Sequence, residues 1–108
     1  MARRTAILYV YENLVTAATL SGELARLRRA AAAAGWSVER VVLDRTNVSY
    51  PLSRAAVKGL FKAMRGREAH AVLIPSLSHF GGGPNSVLGT VAGVLEAGGH
   101  VASLTLTD

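Results

Sequence analysis

The sequence contains no cysteine. This absence excludes disulfide frameworks, thiol nucleophiles, iron–sulfur clusters and every cysteine-based zinc site. The three histidines, His70, His79 and His100, do not have the spacing of metal ligands. The sequence therefore predicts no metal centre, and nothing in it indicates a cofactor.

Long hydrophobic runs are also missing. Half of the 108 residues are apolar and 18% are charged, but the apolar stretches are short and are interrupted by Gly or Pro. None is long enough to span a bilayer. At the N-terminus, Arg3 and Arg4 lead into the apolar run 6–10, which is too brief for a signal peptide. We therefore expect a cytoplasmic protein with one domain over residues 1–108 and no membrane contact.

Basic residues are absent from the last third of the chain. All twelve Lys and Arg lie in residues 1–67, where four acids leave a formal charge of +8, whereas residues 68–108 carry −3. Ten of the twelve bases are Arg, whose planar fork of donors suits phosphate. The charge distribution therefore favours a polyanionic partner, although a solvated basic face needs no partner.

Apolar segments of two kinds alternate along the chain. Short segments rich in apolar residues predict strands at 5–11, which is nearly continuously apolar, and at 38–44, 69–75 and 101–107. Apolar residues at helical spacing predict helices at 16–34, 53–65 and 84–97. This order predicts a three-layer α/β/α fold with a mainly parallel sheet of about four strands. In a doubly wound chain strands one and three are neighbours, which gives the strand order 2-1-3-4. In the third helix Gly89 and Gly93 predict close packing against the sheet.

The second predicted helix has one side that is entirely basic. Ser53 is the predicted N-cap, and an apolar stripe is formed by Val57, Leu60, Phe61 and Met64. Beside this stripe lie Arg54, Lys58, Lys62 and Arg65. These four side chains are our candidates for contacts with DNA or another phosphate.

A glycine-rich loop follows the third strand. It contains Gly81, Gly82 and Gly83, and Pro84, Asn85 and Ser86 begin the third helix. Free backbone N–H groups at a helix start attract anions. The pattern matches neither Walker A, because no Lys follows, nor a dinucleotide fingerprint, which belongs after the first strand. Anion or nucleotide binding at Gly81, Gly82, Gly83, Asn85 and Ser86 therefore stays open beside the alternative of a simple linker.

His79 lies close in sequence to Ser76 and Ser78, and Glu12 is expected at the same edge of the sheet. A serine nucleophile needs a base within hydrogen-bond reach and an acid that orients the base. Adjacent Ser78 and His79 generally point apart, and neither loop contains Asp. The sequence does not favour a hydrolase.

Nearly the whole chain resembles the catalytic domain of serine recombinases, the resolvase/invertase group. In that family a strand ends in Tyr-x-Arg-Val-Ser-Thr, a helix leads to Gly-Trp, the next strand ends at Asp, a helix starts with Arg, and a third strand leads into Leu-Asp-Arg-Leu-x-Arg. The corresponding segments here are 9–14, Gly35-Trp36, Asp44, Arg54 and 77–82. The resemblance implies a resolvase-like fold.

The family's catalytic groups are largely replaced in this chain. Tyr11 stands at the position of the strand-end Arg, and Asn13 at that of the Ser that attacks the DNA phosphodiester. Ser78, His79 and Gly82 stand in place of the later Asp, Arg and Arg, so that Arg54 is the one family arginine retained. Because each lost charge stabiliser costs about 10²–10³-fold in rate, we expect no strand cleavage and assign no catalytic residue.

The resemblance also implies a long dimerising helix and a DNA-binding domain after the catalytic domain. These 108 residues include neither, so we expect no separate DNA-binding domain. Three functions stay open. The first is an inactive recombinase-like module that acts on DNA or on a related recombinase, with homo-oligomerisation undecided. The second is an enzyme with altered phosphoryl-transfer chemistry through Tyr11, His79 and Arg54, and the third is a small-anion or nucleotide binder at the glycine loop.

Overall fold

Four strands and three α-helices alternate along the chain, in a computed structural model that describes residues 4–45, 51–81 and 83–105. The strands are β1 (Thr5–Tyr11), β2 (Ser37–Asp44), β3 (Ala71–Ser76) and β4 (His100–Thr105). The helices are α1 (Ala17–Ala33), α2 (Ala55–Arg65) and α3 (Pro84–Glu96). Short 3-10 helices follow β1 (Glu12–Leu14), precede α2 (Pro51–Ser53) and follow β3 (Leu77–Phe80).

The four strands form one parallel sheet in the order β2-β1-β3-β4. The predicted α/β class and strand order are confirmed. β1 lies in the middle, and its residues 6–10 are completely buried, because helices cover both faces of the sheet. The carboxyl ends of β1 and β2 are in register, with Tyr11 opposite Asp44. Polar side chains at these two strand ends are therefore close neighbours.

The two faces of the sheet have separate cores. On one face, Leu27 and Ala31 of α1 pack against residues such as Leu8 of β1. On the other face, residues of α2 and α3, including Leu60 and Val94, pack against Ile7. Alternate residues of β1 thus contribute to opposite cores, as the period of two along a strand requires.

Two local predictions are wrong. Ser53 does not cap α2, because the Arg54 N–H donates to the Pro51 carbonyl (3.0 Å) and places Ser53 in the preceding 3-10 turn. Arg54 is the N-cap instead. Neither Gly89 nor Gly93 faces the sheet. A Cβ at Gly93 would lie 2.6 Å from the Phe61 ring of α2, so this glycine permits close packing between two helices, and a Cβ at Gly89 would lie 3.8 Å from the Leu52 side chain before α2.

No helix within the described ranges is long and apolar enough to cross a membrane.

Candidate functional site

A buried polar cluster lies at the carboxyl ends of β1 and β2. The Tyr9 hydroxyl donates a hydrogen bond to Asp44 Oδ2 at 2.5 Å. Arg54 Nη1 donates to Tyr9 Oη at 3.1 Å and to the backbone oxygen of His79 at 2.8 Å. All three side chains are buried, and Arg54 is only 1% exposed. The cluster links the ends of β1 and β2, the start of α2 and the loop after β3.

The cluster contains two buried charges of opposite sign. A buried charge is tolerated when it is paired and hydrogen-bonded, because transfer out of water is otherwise very costly. The Tyr9 hydroxyl joins the charges of Asp44 and Arg54, since it donates to the carboxylate and accepts from the guanidinium. Each member therefore contributes to the stability of the others.

Tyr11 closes the cluster on another side. The guanidinium carbon of Arg54 lies 3.6 Å from the centroid of the Tyr11 ring, a cation–π contact in a desolvated position. Asn13 Nδ2 donates to the Tyr11 hydroxyl at 3.1 Å.

The prediction that Arg54 lies on the exposed side of the second helix is wrong, because its side chain is buried in this cluster. As the N-cap, Arg54 has an extended backbone, which directs its side chain toward the strand ends rather than along the helix surface.

The buried position of Tyr9 has a consequence for stability at high pH. Burial, reinforced by the hydrogen bond to Asp44, raises the pKa of Tyr9 well above its ordinary value. The unfolded chain releases this proton near pH 10, whereas the folded protein keeps it. We expect the free energy of unfolding to fall above about pH 10, by at most about 1.4 kcal/mol per pH unit from this group.

Urea unfolding across this pH range, for wild type and Tyr9→Phe, measures the contribution of Tyr9. Because Tyr9→Phe has no proton to release, the stability difference between the two proteins should shrink as the pH rises. A constant difference would show that Tyr9 ionises equally easily in both states.

His79 connects the loop after β3 to the end of β1. Its Nδ1 accepts a hydrogen bond from the Tyr11 backbone N–H at 2.9 Å, and the ring is buried. Ser76 and Ser78 share a hydrogen bond of 2.6 Å between their hydroxyls, and Glu12 binds Arg45 Nε at 2.5 Å. His79 Nδ1 is therefore occupied by backbone, and these contacts do not form a hydrolytic triad.

The glycine loop borders an apolar cavity rather than a charged one. Gly83 is the N-cap of α3 and, as a glycine, has no side chain that could cap the helix. Pro84 is the first residue of the helix. Asn85 and Ser86 follow in its first turn, while Gly82 lies outside the described residues. The adjoining cavity of about 380 Å³ is lined by Leu77, Ser78, Gly81, Gly83, Pro84, Val87 and Leu88. No charged side chain lines this cavity, so an anion there would have to be held by backbone N–H groups and the Ser78 hydroxyl.

Three of the predicted cations lie on the solvent side of α2. Lys58, Lys62 and Arg65 are exposed, and α2 itself contains no acidic residue. Lys62 also borders a groove of about 350 Å³ between α2 and β2, together with Arg40 and Glu68. Sequence patterning did not identify Arg40, because β2 changes register against β1 between Ala6 and Ile7. After that irregularity, the position of Arg40 cannot be extrapolated from the start of the strand.

Two solved structures have folds similar to that of this chain. The C-terminal catalytic domain of ISC1926 TnpA, an IS607-like serine recombinase, is similar with a TM-score of 0.75 and 20% identity, over 96% of this chain and 72% of that one. The N-terminal catalytic domain of TP901-1 integrase is similar with a TM-score of 0.74 and 21% identity, over 94% and 77%. No family model and no curated protein matches the sequence. The predicted resolvase-like fold is confirmed.

Proposed function

We propose that this chain, whose fold is that of a serine recombinase catalytic domain, binds duplex DNA through its phosphates and does not cleave it. The two similar structures are named as catalytic domains of a serine recombinase and an integrase. Recombinases and integrases act on DNA, which favours DNA as the partner of this chain. The contacts of Arg54 favour the loss of cleavage.

The observation that supports this proposal is the burial of Arg54. Phosphoryl transfer requires cations aimed at the charge that develops in the transition state. The guanidinium of Arg54 is directed inward, against the Tyr11 ring, the Tyr9 hydroxyl and the His79 carbonyl. In this arrangement Arg54 stabilises the fold and does not meet a phosphate.

The residues at the nucleophile position support the same conclusion. Asn13 stands where the resemblance places the attacking serine, and its amide nitrogen donates to Tyr11 Oη. An amide is not a nucleophile for a phosphodiester. Tyr11 does carry a hydroxyl, but its side chain is buried over Arg54. Nucleophilic attack by the phenol would require both exposure and an activating base.

The surface proposed for DNA is the exposed side of α2, formed by Lys58, Lys62 and Arg65, with Arg40 across the groove. We call it the α2 basic surface. Lys and Arg side chains that contact phosphates release counterions, which provides affinity without sequence specificity. Glu68 also lines the groove, and its carboxylate would repel a phosphate placed next to it.

Incubation with supercoiled plasmid tests the absence of cleavage. We expect neither nicked plasmid nor a covalent protein–DNA adduct after denaturing electrophoresis, with an active serine recombinase as the positive control. An adduct that disappears in Tyr11→Phe would overturn the proposal and establish altered phosphoryl transfer through that phenol.

A salt titration with duplex DNA tests the binding. We expect log affinity to fall linearly with log salt, by about 0.9 for each phosphate neutralised. In the triple variant Lys58→Gln, Lys62→Gln and Arg65→Gln, the slope should lose about 2.7 if each side chain contacts one phosphate.

The matched control removes three exposed cations from α1, as Arg26→Gln, Arg28→Gln and Arg29→Gln. It has the same net charge as the α2 variant, but its changes lie on the opposite face of the sheet. It should keep most of the wild-type slope. Equal losses in both variants would assign the binding to net charge alone, and a flat response of wild type to salt would exclude DNA.

A further inference from the structure

One side of α3 exposes large apolar side chains. Leu88 and Leu95 are 65% and 53% exposed, and they are two of the three large apolar residues that the described ranges expose; the third is Leu14 at 50%. Leu88, Ala92 and Leu95 have the spacing i, i+4, i+7, which places them along one side of a helix. None of the three carries charge. A seam of this kind is typical of a helix that packs against another helix.

The apolar cavity beside the glycine loop adjoins this seam. Leu88 belongs to both, and the cavity of about 380 Å³ continues from it past Pro84, Val87 and Leu77. At the other end of α3, Leu95 projects as an exposed side chain. The helix α3 therefore borders an apolar cavity near its N-terminus and exposes the apolar side chain of Leu95 near its C-terminus.

We propose that this side of α3 binds the same side of α3 in a second copy of the chain, with the two helices antiparallel. A two-fold axis near Ala92 then places Leu95 of each copy against Leu88 of the other, where it can enter the neighbouring cavity. The two leucines are seven residues, or about 10 Å, apart along the helix axis. A small residue at the axis allows the helices to approach closely. The interface is self-complementary, as two-fold symmetry requires.

Charge favours the antiparallel arrangement over the parallel one. Glu96 is exposed in the last turn of α3, where it lies at the negative end of its own helix dipole. The antiparallel pair brings Glu96 toward the first turn of the other α3, which is the positive end of that helix. This first turn has no side-chain cap. A parallel pair would instead place the two Glu96 carboxylates side by side.

Sedimentation equilibrium from micromolar concentrations to about 1 mM tests the association. We expect a monomer–dimer equilibrium in the wild-type protein. Leu88→Lys with Leu95→Lys should weaken it at least about tenfold, because four like charges meet at the interface. The matched control is Leu14→Lys, which changes a similarly exposed leucine on the 3-10 helix after β1. It should dimerise like wild type.

Because the chain contains no cysteine, single introduced cysteines report the geometry directly. A disulfide requires Cα atoms about 4.4–6.8 Å apart. Under mild oxidation Ala92→Cys should form a covalent dimer with itself, whereas Leu88→Cys should form one efficiently only when mixed with Leu95→Cys.

Three results would overturn the proposal. One is a wild-type protein that stays monomeric over the whole concentration range. The second is a dimer that is equally stable when Leu88 and Leu95 are both lysine. The third is Leu88→Cys that links to itself as efficiently as to Leu95→Cys, because this would indicate parallel helices.

Discussion

Arg54→Met is expected to destabilise the folded protein by about 3–5 kcal/mol. The substitution leaves a buried carboxylate at Asp44 without the guanidinium that balances its charge, and it removes the donor to Tyr9 Oη and to the His79 carbonyl. Removal of one partner from a buried charged pair has a cost of this size. For a domain of about 100 residues, the loss lowers the melting temperature by at least about 12 °C. Thermal and urea unfolding monitored by circular dichroism measure both quantities.

Lys62→Met is the matched control for Arg54→Met. Lys62 lies on the same helix and loses the same charge, but it is exposed, so the change should stay within about 0.5 kcal/mol. Combining Arg54→Met with Asp44→Asn should recover part of the loss, because the double variant no longer buries an unbalanced carboxylate. If Arg54→Met is as stable as Lys62→Met, the guanidinium does not hold the strand ends together.

Gly81→Ala is expected to cost about 1–3 kcal/mol through overpacking. A Cβ at Gly81 would lie 2.7 Å from Ser86 Cβ and 3.1 Å from the Val87 backbone nitrogen. Neither atom is the end of a flexible side chain, so the loop and the first turn of α3 must separate. Urea unfolding measures the loss, and a change below about 0.5 kcal/mol would contradict this packing.

Gly59→Ala controls for the removal of a glycine. Gly59 lies in the exposed middle of α2, and a Cβ there meets nothing within 4 Å. Because Ala is a better helix former than Gly, this substitution should stabilise the protein by about 0.5–1 kcal/mol. The same chemical change is thus expected to have opposite signs at the two positions. Such a result would indicate that Gly81 is required for the close packing of the loop against the first turn of α3.

The stability predictions for Arg54 and Gly81 bear on function because the sequence pointed to a functional role for both residues, whereas their contacts indicate a structural role. Arg54 is the family arginine that this sequence retains, and Gly81 belongs to the loop that suggested anion binding. The contacts of both residues are internal to the fold. The residues proposed to bind DNA are instead the exposed cations of α2. Because these side chains are exposed, their substitution should change the stability of the fold little.

The sequence alone was sufficient to predict the class of fold and the strand order. The run 5–11 is nearly continuously apolar and forms β1 as predicted, because both faces of this strand are covered by helices. The helix predicted over 16–34 is α1, with Thr16 as its N-cap, since its signals lie within the segment itself. These features depend on residues close together in the chain. The resemblance to serine recombinases rests on residues spread over the chain, and it anticipated the same fold.

The tertiary structure decided which of the predicted site residues face solvent. Residues 54, 58, 62 and 65 share a helical spacing, which suggested a single basic side, yet Arg54 lies at the N-cap and is directed to partners as much as 45 residues away. His79 likewise received its role from the Tyr11 backbone, 68 residues away. Local periodicity follows from the geometry of one segment, whereas the burial of a charge depends on which distant groups the folded chain brings to its side.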